Sequence, residues 1–318
     1  MKTAEKLQAF PTRRMGAASW GLAVLTAALF LSAGCAAIGD AGRTGDRAMK
    51  RPKDRIVRTA PRGPEPVLFE EMIDDLADAR VVYVGEQHRR VAHHRIQLRI
   101  IKALHERHPD LKVGMEMFSR PYQPVLNDWS AGILDQEAFL KSSHWYANWK
   151  FDYDLYESIL RYVRENGLPL IALNIPFHIP PKIAVGGIDT LLPGERQYLP
   201  AEIKTDDPGH RAYLEEVYEA HRAMLKGRDD FENFYMAQNV WEDVMAESVA
   251  DNLDDAHMVV IIGNGHIQRR FGVPERAYDR TGAPYRTVLT DPGPGPAEPE
   301  MGDYIWRTFM PGAKPPGK

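Results

Sequence analysis

The chain has 318 residues, 40 Lys and Arg against 44 Asp and Glu, a net charge of −4 and a single cysteine. So small a charge excess points to no particular partner, and no basic stripe or nucleic-acid motif is present, which excludes nucleic-acid binding. With Cys35 alone, no intrachain disulfide and no multi-thiolate metal site can form, and modification of Cys35 would also exclude a cysteine nucleophile.

The N-terminal segment reads as an export leader. Lys2, Lys6, Arg13 and Arg14 precede an uncharged, Ala- and Leu-rich run from Met15 to Gly34, broken by Gly16, Gly21 and Thr26. The run is nearly long enough to span a bilayer. Its end, Leu31-Ser32-Ala33-Gly34-Cys35, is a lipobox, and the only cysteine falls where a lipid would attach. Residues 1–34 are therefore expected to be a lipoprotein signal peptide and Cys35 the lipidated membrane anchor. The Arg13-Arg14 pair also fits twin-arginine export, a weaker signal. In a Gram-negative source, Ala36 in place of Asp after the cysteine resembles the pattern of lipoproteins sorted to the outer membrane, here facing the periplasm. Residues 35–66 are polar, with Gly, Pro and many basic side chains, too few apolar groups to offset ordering entropy, and are expected to be a flexible tether.

The body of the domain, residues 67–291, reads as α/β. Apolar, β-branched runs at Arg80–Val84, Val113–Met117, Leu170–Ile175 and Met258–Ile262 are expected to be buried strands, with a fifth at Arg286–Thr290. Helical periodicity spans Ala92 to Arg107 and Tyr153 to Glu165, the latter stopped by Asn166-Gly167. Strands joined by helical crossovers imply a mostly parallel sheet covered by helices. Pro121–Leu140 and Pro193–Asp254 carry helical patterns without strands, and a smaller helical subdomain is expected at about residues 190–254. Residues 292–318 are Pro-rich and expected to be irregular, apart from a possible short edge strand at Tyr304–Phe309.

Parallel α/β sheets gather ligands at the carboxyl ends of their strands. Strand one ends in Gly85-Glu86-Gln87-His88, strand two in Gly114-Met115-Glu116-Met117, strand three in Asn174, and strand four in Gly263-Asn264-Gly265-His266. One Gly-x-x-His is usually a turn carrying a surface histidine, but two at equivalent strand ends bring two imidazoles to one edge. With Glu86 or Glu116 near, they can hold a metal or move a proton. His93 or His94, at the start of the next helix, can enter the same crevice, and His93 shares a face with Gln97. The run His144-Trp145-Tyr146-Ala147-Asn148-Trp149-Lys150-Phe151-Asp152-Tyr153 reads first as packing, and beside a crevice as a wall for a flat apolar ligand. Gln238, Trp241 and Glu242 sit on a helix that can face the same cleft, or simply pack on the core. His105, His108 and His257 read as surface positions. Dinucleotide, Walker, serine-elbow and His-Glu-x-x-His motifs are absent.

Taken together, Val84-Gly85-Glu86-x-His88, His93-His94 with Gln97-Leu98, Gly114-Met115-Glu116-Met117-Phe118 with Arg120-Pro121, Trp149-x-Phe151-Asp152-Tyr153, Ile171-Ala172-Leu173-Asn174, Ala237-Gln238 with Trp241, and Gly263-Asn264-Gly265-His266 resemble the ChaN-like haem-binding lipoproteins of the Tiki superfamily. The likeness runs in order from about Val81 to Thr290. It implies a parallel-sheet α/β fold and a role in haem or iron handling at the cell envelope. Haem would meet His88, His93, His94, Tyr146, Tyr153, Gln238, Asn264 and His266. The iron would be held by His88, His93, His94, Tyr146 or Tyr153, and two protomers could sandwich the cofactor. The wider superfamily includes metal-dependent proteases and erythromycin-esterase-like enzymes. The alternative is therefore a hydrolase in which His88, His266 and Glu116 bind a divalent metal and Glu86 activates water. The family usually has Asp directly after the first motif's histidine, where this chain has Arg89. A cation there weakens the hydrolase reading without obstructing haem, and leaves a third reading, a lipoprotein scaffold whose site is lost.

Overall fold

Strands buried along their whole length need cover on both faces, and the hydrophobic runs of this chain receive it from two sets of helices. The computed structural model describes residues 54–222, 225, 227–293 and 297–308, so the expected leader, Cys35 and most of the expected tether lie outside the described residues. In chain order the elements begin with β1 (Arg55–Arg58), β2 (Glu65–Val67), α1 (Phe69–Ala77), β3 (Val81–Glu86), α2 (Val91–His105) and β4 (Lys112–Ser119). There follow α3 (Gln123–Ser130), α4 (Gln136–Ser142), α5 (Trp145–Asn148), α6 (Glu157–Glu165), β5 (Leu170–Asn174), α7 (Ile179–Gly186) and α8 (Pro193–Arg196). The last are α9 (Pro208–His221), α10 (Phe231–Leu253), β6 (Met258–Gly263), α11 (Val273–Thr281), β7 (Tyr285–Thr290) and β8 (Tyr304–Arg307).

The sheet order is β2-β1-β8-β7-β3-β6-β4-β5, parallel from β8 to β5 and antiparallel where β1 joins β8 and β2. Strand alternation divides the core. Val82, Val84, Val113, Met115, Val259 and Ile261 face α1, α2, α3 and α6, while Val81, Tyr83, Met258, Val260 and Ile262 face α10 and α11. The expected α/β class, with its mostly parallel sheet and helical cover, is what the chain adopts. The helical part is built on α10, whose other sides take α7 through Ala237, Val240 and Val244, and α9 through Phe234 and Tyr235. Asp230 caps α10 by accepting from the amides of Glu232 and Asn233, and Asp207 caps α9 in the same way. Gly167, at φ +62°, ends α6 in the left-handed conformation that the Asn-Gly pair predicts. Among the described residues, no helix is long and apolar enough to cross a membrane.

Two expectations need correction. The stretch read as tether contributes β1 and β2, and Ile56 and Val57 of β1 are buried. Its few apolar residues suffice because β1 completes hydrogen bonding with a strand some 250 residues away, a partner that composition cannot reveal. Residues 304–307 do form a strand, but an interior one, with β7 on one side and β1 on the other.

Candidate functional site

The two Gly-x-x-His turns are neighbours. Strands β3 and β6 pair in parallel with Gly85 opposite Ile262 and Glu86 opposite Gly263, so His88 and His266 leave the same sheet edge side by side. Close packing beneath them demands glycine at position 85, where a Cβ would lie 2.1 Å from the Asn264 amide oxygen. That amide spans to the next strand, with Asn264 Nδ2 donating to the Thr290 carbonyl at 2.7 Å and the Thr290 hydroxyl donating to the Gly85 carbonyl at 2.7 Å. Asn264, expected to touch a cofactor, instead ties strand ends together.

Strand β4 supplies the third group. Its register against β5 shifts between Met115 and Ser119, the kind of irregularity that re-aims a side chain. Glu116 there accepts from the Gly263 amide at 2.6 Å, and its other oxygen lies 3.7 Å from His266 Nε2. Asn174, at the end of β5, donates to the Glu116 carbonyl at 2.8 Å and accepts from the Trp241 indole at 2.6 Å, which pins α10 to the strand ends.

Each cleft histidine is held from behind by a buried carboxylate. His88 Nδ1 lies 2.8 Å from Glu86 Oε1, and His266 Nδ1 lies 3.2 Å from Glu242 Oε1. Since a carboxylate only accepts, each Nδ1 carries a proton and each Nε2 faces the cleft. His88 Nε2 has no hydrogen-bond partner among the described residues, and its side chain is 30% exposed. Glu86 also accepts from the Tyr156 hydroxyl at 2.6 Å and from Gln97 Nε2 at 2.9 Å. His94 Nε2 lies 3.1 Å from Glu86 Oε2, within ion-pair range but without hydrogen-bond alignment. Burial pushes the Glu86 carboxyl up, but the His88 hydrogen bond and the close His94 ring outweigh it and bring the pKa down to about 2. Glu242 follows the same pattern, with burial opposed by the close His210 ring and by the hydrogen bond and charge of His266, and also falls to about 2. For His88, burial favours the neutral ring, but the Glu86 hydrogen bond and the charges of Glu116 and Glu86 raise its pKa overall. His266 is raised likewise, against burial, by Glu242 and Glu116.

Behind Glu242 lies a polar network that sequence reading missed. His210 Nε2 sits 3.0 Å from Glu242 Oε2, and Arg276, only 5% exposed, reaches His210 Nδ1 at 3.2 Å. Arg276 also holds Asn239 and Asp243, while Arg280 donates to Asp243 at 2.8 Å. The available signal was paired spacing, Asn239 and Asp243 on one helix against Arg276 and Arg280 on another, each four residues apart. Tyr156 and Asp291 also carried no signal in the sequence.

The aromatic run is both core and wall. Trp145 and Tyr153 are buried, whereas Trp149 and Phe151 pack on the His88 ring with centroids at 4.8 and 4.9 Å. Tyr146 is 59% exposed, and Tyr153 is only 1% exposed, an interior residue and not a cofactor wall. His93 is fully buried with both nitrogens engaged, Nδ1 accepting from the Gln87 amide at 2.9 Å and Nε2 at 3.0 Å from Asp291. As placed, it offers no lone pair to an iron; the helix start faces it inward. His94 is likewise buried, packed on Tyr156. On the His266 side, Tyr213, Leu214, Val217, Phe234, Gln238 and Trp241 line a mostly apolar cleft of about 440 Å³. The strand ends thus bring two imidazoles, the Glu116 carboxylate and aromatic side chains close together, a donor set for iron or a divalent cation and for proton transfer, with the apolar cavity on the His266 side.

A family model described as haem-binding uptake, Tiki superfamily, ChaN matches residues 72–277, more than half of the chain. The structure is similar to ChaN of Campylobacter jejuni, described with cofacial haem binding, at a TM-score of 0.66 and 18% identity, covering 81% of this chain and 98% of that one. A mutant erythromycin esterase, EreC, in its open conformation shows a TM-score of 0.44 at 16% identity, covering 75% of this chain and 77% of that one. Protein RETICULATA-RELATED 5, chloroplastic, of Arabidopsis thaliana is 26% identical over 269 residues, 73% of this chain, and this chain spans 34% of the length of that protein. By the extent of the family match, the chain belongs to the ChaN haem-binding uptake family of the Tiki superfamily.

Proposed function

We propose that this protein is a cell-envelope lipoprotein, anchored through Cys35 at the outer membrane and facing the periplasm, that binds haem in the His88 cleft for haem or iron uptake. The observation that carries it is the setting of His88. Its Nδ1 is fixed by Glu86, its Nε2 is open, Trp149 and Phe151 wall it, and the Arg89 guanidinium lies over Phe151 at 5.8 Å. A carboxylate behind an iron-ligating imidazole makes it a stronger donor, and flat aromatic walls match a porphyrin face. Arg89, which lies over Phe151, and Lys150, next in the chain to Trp149 and Phe151, are both exposed and suit the two carboxylates of haem. These residues fit the cofactor as they stand, and bound haem would supply an iron centre for storage, transfer or redox change. Tyr146, with its exposed phenol, is the alternative iron ligand, and a second copy of this chain is the natural cover for the outer face of haem.

The test is a haemin titration of the chain from Lys50 onward, which retains β1, followed by absorption spectroscopy. Wild type is compared with His88→Ala, Tyr146→Phe and the double variant His93→Ala/His94→Ala. A saturable Soret shift abolished by His88→Ala is expected, and no saturable shift in wild type refutes haem binding. Mass analysis of the membrane-bound form and its Cys35→Ala variant tests the anchor, which requires loss of the lipid mass and of membrane association in the variant.

One observation favours a second reading. Glu116 Oε1 stands 3.7 Å from His266 Nε2, and its charge also acts on His88, so the three can close on a divalent metal for hydrolysis. Stoichiometric bound metal in elemental analysis, without a Soret shift, would replace the haem reading with this one.

A further inference from the structure

The opposite end of the sheet carries a second histidine cluster that the haem cleft does not use. His108 precedes β4 and His257 precedes β6, two neighbouring strands paired from Lys112 opposite Met258 onward. Their backbones are tied where they enter the sheet. The Lys112 amide donates to the His257 carbonyl at 2.8 Å, and the Leu111 amide donates to the His108 carbonyl at 3.0 Å. Pro109 stiffens the tight turn that brings Asp110 round beside them.

The chemistry of the two rings is unusual for surface histidines. They stack with centroids 3.5 Å apart and planes 17° from parallel. His108 Nε2 lies 3.0 Å from the Ala77 carbonyl, which can only accept, so that nitrogen carries the proton and Nδ1 keeps its lone pair. His257 Nδ1 is buried with no hydrogen-bond partner among the described residues, a polar atom left without its complement. One ligand atom each from His108, Asp110 and His257 lies within 4.8 Å of the others. Arg80 is the cation near this group, and it already donates to the carbonyls of Ala256 and Asp254 at 2.9 and 2.8 Å.

We propose that His108, Asp110 and His257 form a binding site for a divalent transition metal of the zinc type, joining the α2–β4 and α10–β6 loops at the amino ends of the central strands. Two imidazoles and a carboxylate, with outer positions open to water, are a borderline-soft donor set that suits zinc better than calcium or magnesium. The site is independent of the haem cleft and of the reading given to it.

The test uses the full chain, stripped with a chelator and titrated with Zn²⁺ against a chromophoric competitor. His88→Ala/His266→Ala serves as the background, so that the cleft does not contribute. Zinc binding with one equivalent is expected to persist in that background and to be lost on adding His257→Gln. Asp110→Asn, at an exposed position that leaves the fold alone, should weaken binding by about tenfold or more. Zinc should also raise the unfolding temperature of the background protein, and not of the His257→Gln form. Absence of binding in the background, or equal binding with and without both substitutions, overturns the proposal.

Discussion

Replacing Glu86 by Gln should be costly, and the structure gives the size of the effect. The carboxylate is 2% exposed and is contacted by His88, His94, Gln97 and Tyr156. Its pKa falls from 4.5 to about 2 on folding. At about 1.4 kcal/mol per unit, that displacement corresponds to ~3 kcal/mol of stability. Breaking a buried ion pair from one side costs roughly 3–5 kcal/mol, which agrees. At about 2–4 °C per kcal/mol for a domain of this size, the melting temperature should fall by roughly 6–12 °C. Because the folded pKa lies below the unfolded one, the stabilisation is complete above 4.5 and is lost as pH falls toward 2. Urea unfolding followed by tryptophan fluorescence, at about pH 7 and about pH 3, measures both terms. The gap between wild type and Glu86→Gln should be wide at the higher pH and narrow at the lower. A gap under about 1 kcal/mol at neutral pH, or one that does not change with pH, would refute the assignment of Glu86 as the charged anchor of the cleft.

Three further outcomes follow from the same geometry. The raised pKa of His88 means that its Nε2 is protonated at lower pH, so haemin affinity should rise as pH increases through that pKa and level off above it; a haemin titration that is flat with pH would exclude His88 as the ligand. Gly263→Ala, at φ −63°, places a methyl 3.3 Å from His88 Cε1 and 3.4 Å from Glu116 Oε2, so it should cost less than about 1 kcal/mol of stability yet weaken haemin binding, separable by melting curve and titration. Arg276→Met removes one of the two guanidinium partners of buried Asp243, leaving Arg280, and should destabilise by about 1–3 kcal/mol in urea unfolding, while leaving the His88 Soret response of the folded fraction intact.

What could be read from the sequence was whatever depends on local pattern. The five strands of the central sheet lie within a residue or two of their expected ends, because continuous β-branched runs flanked by turns leave few other structures open. The pairing of the two Gly-x-x-His turns followed from the rule that parallel strands share a carboxyl edge. What could not be read were long-range partners. Strand β1 has only Ile56 and Val57 to bury, and its pairing with β8 is set by chain return and not by its own composition. His93 and His94 are adjacent on one helix, and sequence alone could not say that His93 would be satisfied by the Gln87 amide and Asp291 while His94 packed on Tyr156. The carboxylate behind His266 comes from α10, and the spacing of Gln238, Trp241 and Glu242 fitted a core helix equally well.

On the proposed reading, the charge arrangement favours an iron porphyrin over a bare divalent ion in this cleft. Glu86 and Glu242 are both ionised at neutral pH, and Glu116 lies 3.7 Å from His266 Nε2 with its charge also acting on His88. Protons on His88 and His266 offset those charges, and any metal that binds at Nε2 must displace them. Haem iron and a bare divalent ion would both have to do this, but haem would also bring two carboxylates that need cationic partners. Arg89 and Lys150 are exposed on the two segments whose His88, Trp149 and Phe151 rings pack together. A hydrolytic metal would gain nothing from them, and a guanidinium immediately after its first ligand would oppose it. The substitution that departs from the family's usual Asp therefore argues for the ligand that carries its own negative charge. Arg89→Asp should weaken haemin binding and strengthen zinc binding in the cleft; the opposite pair of changes would reverse the assignment.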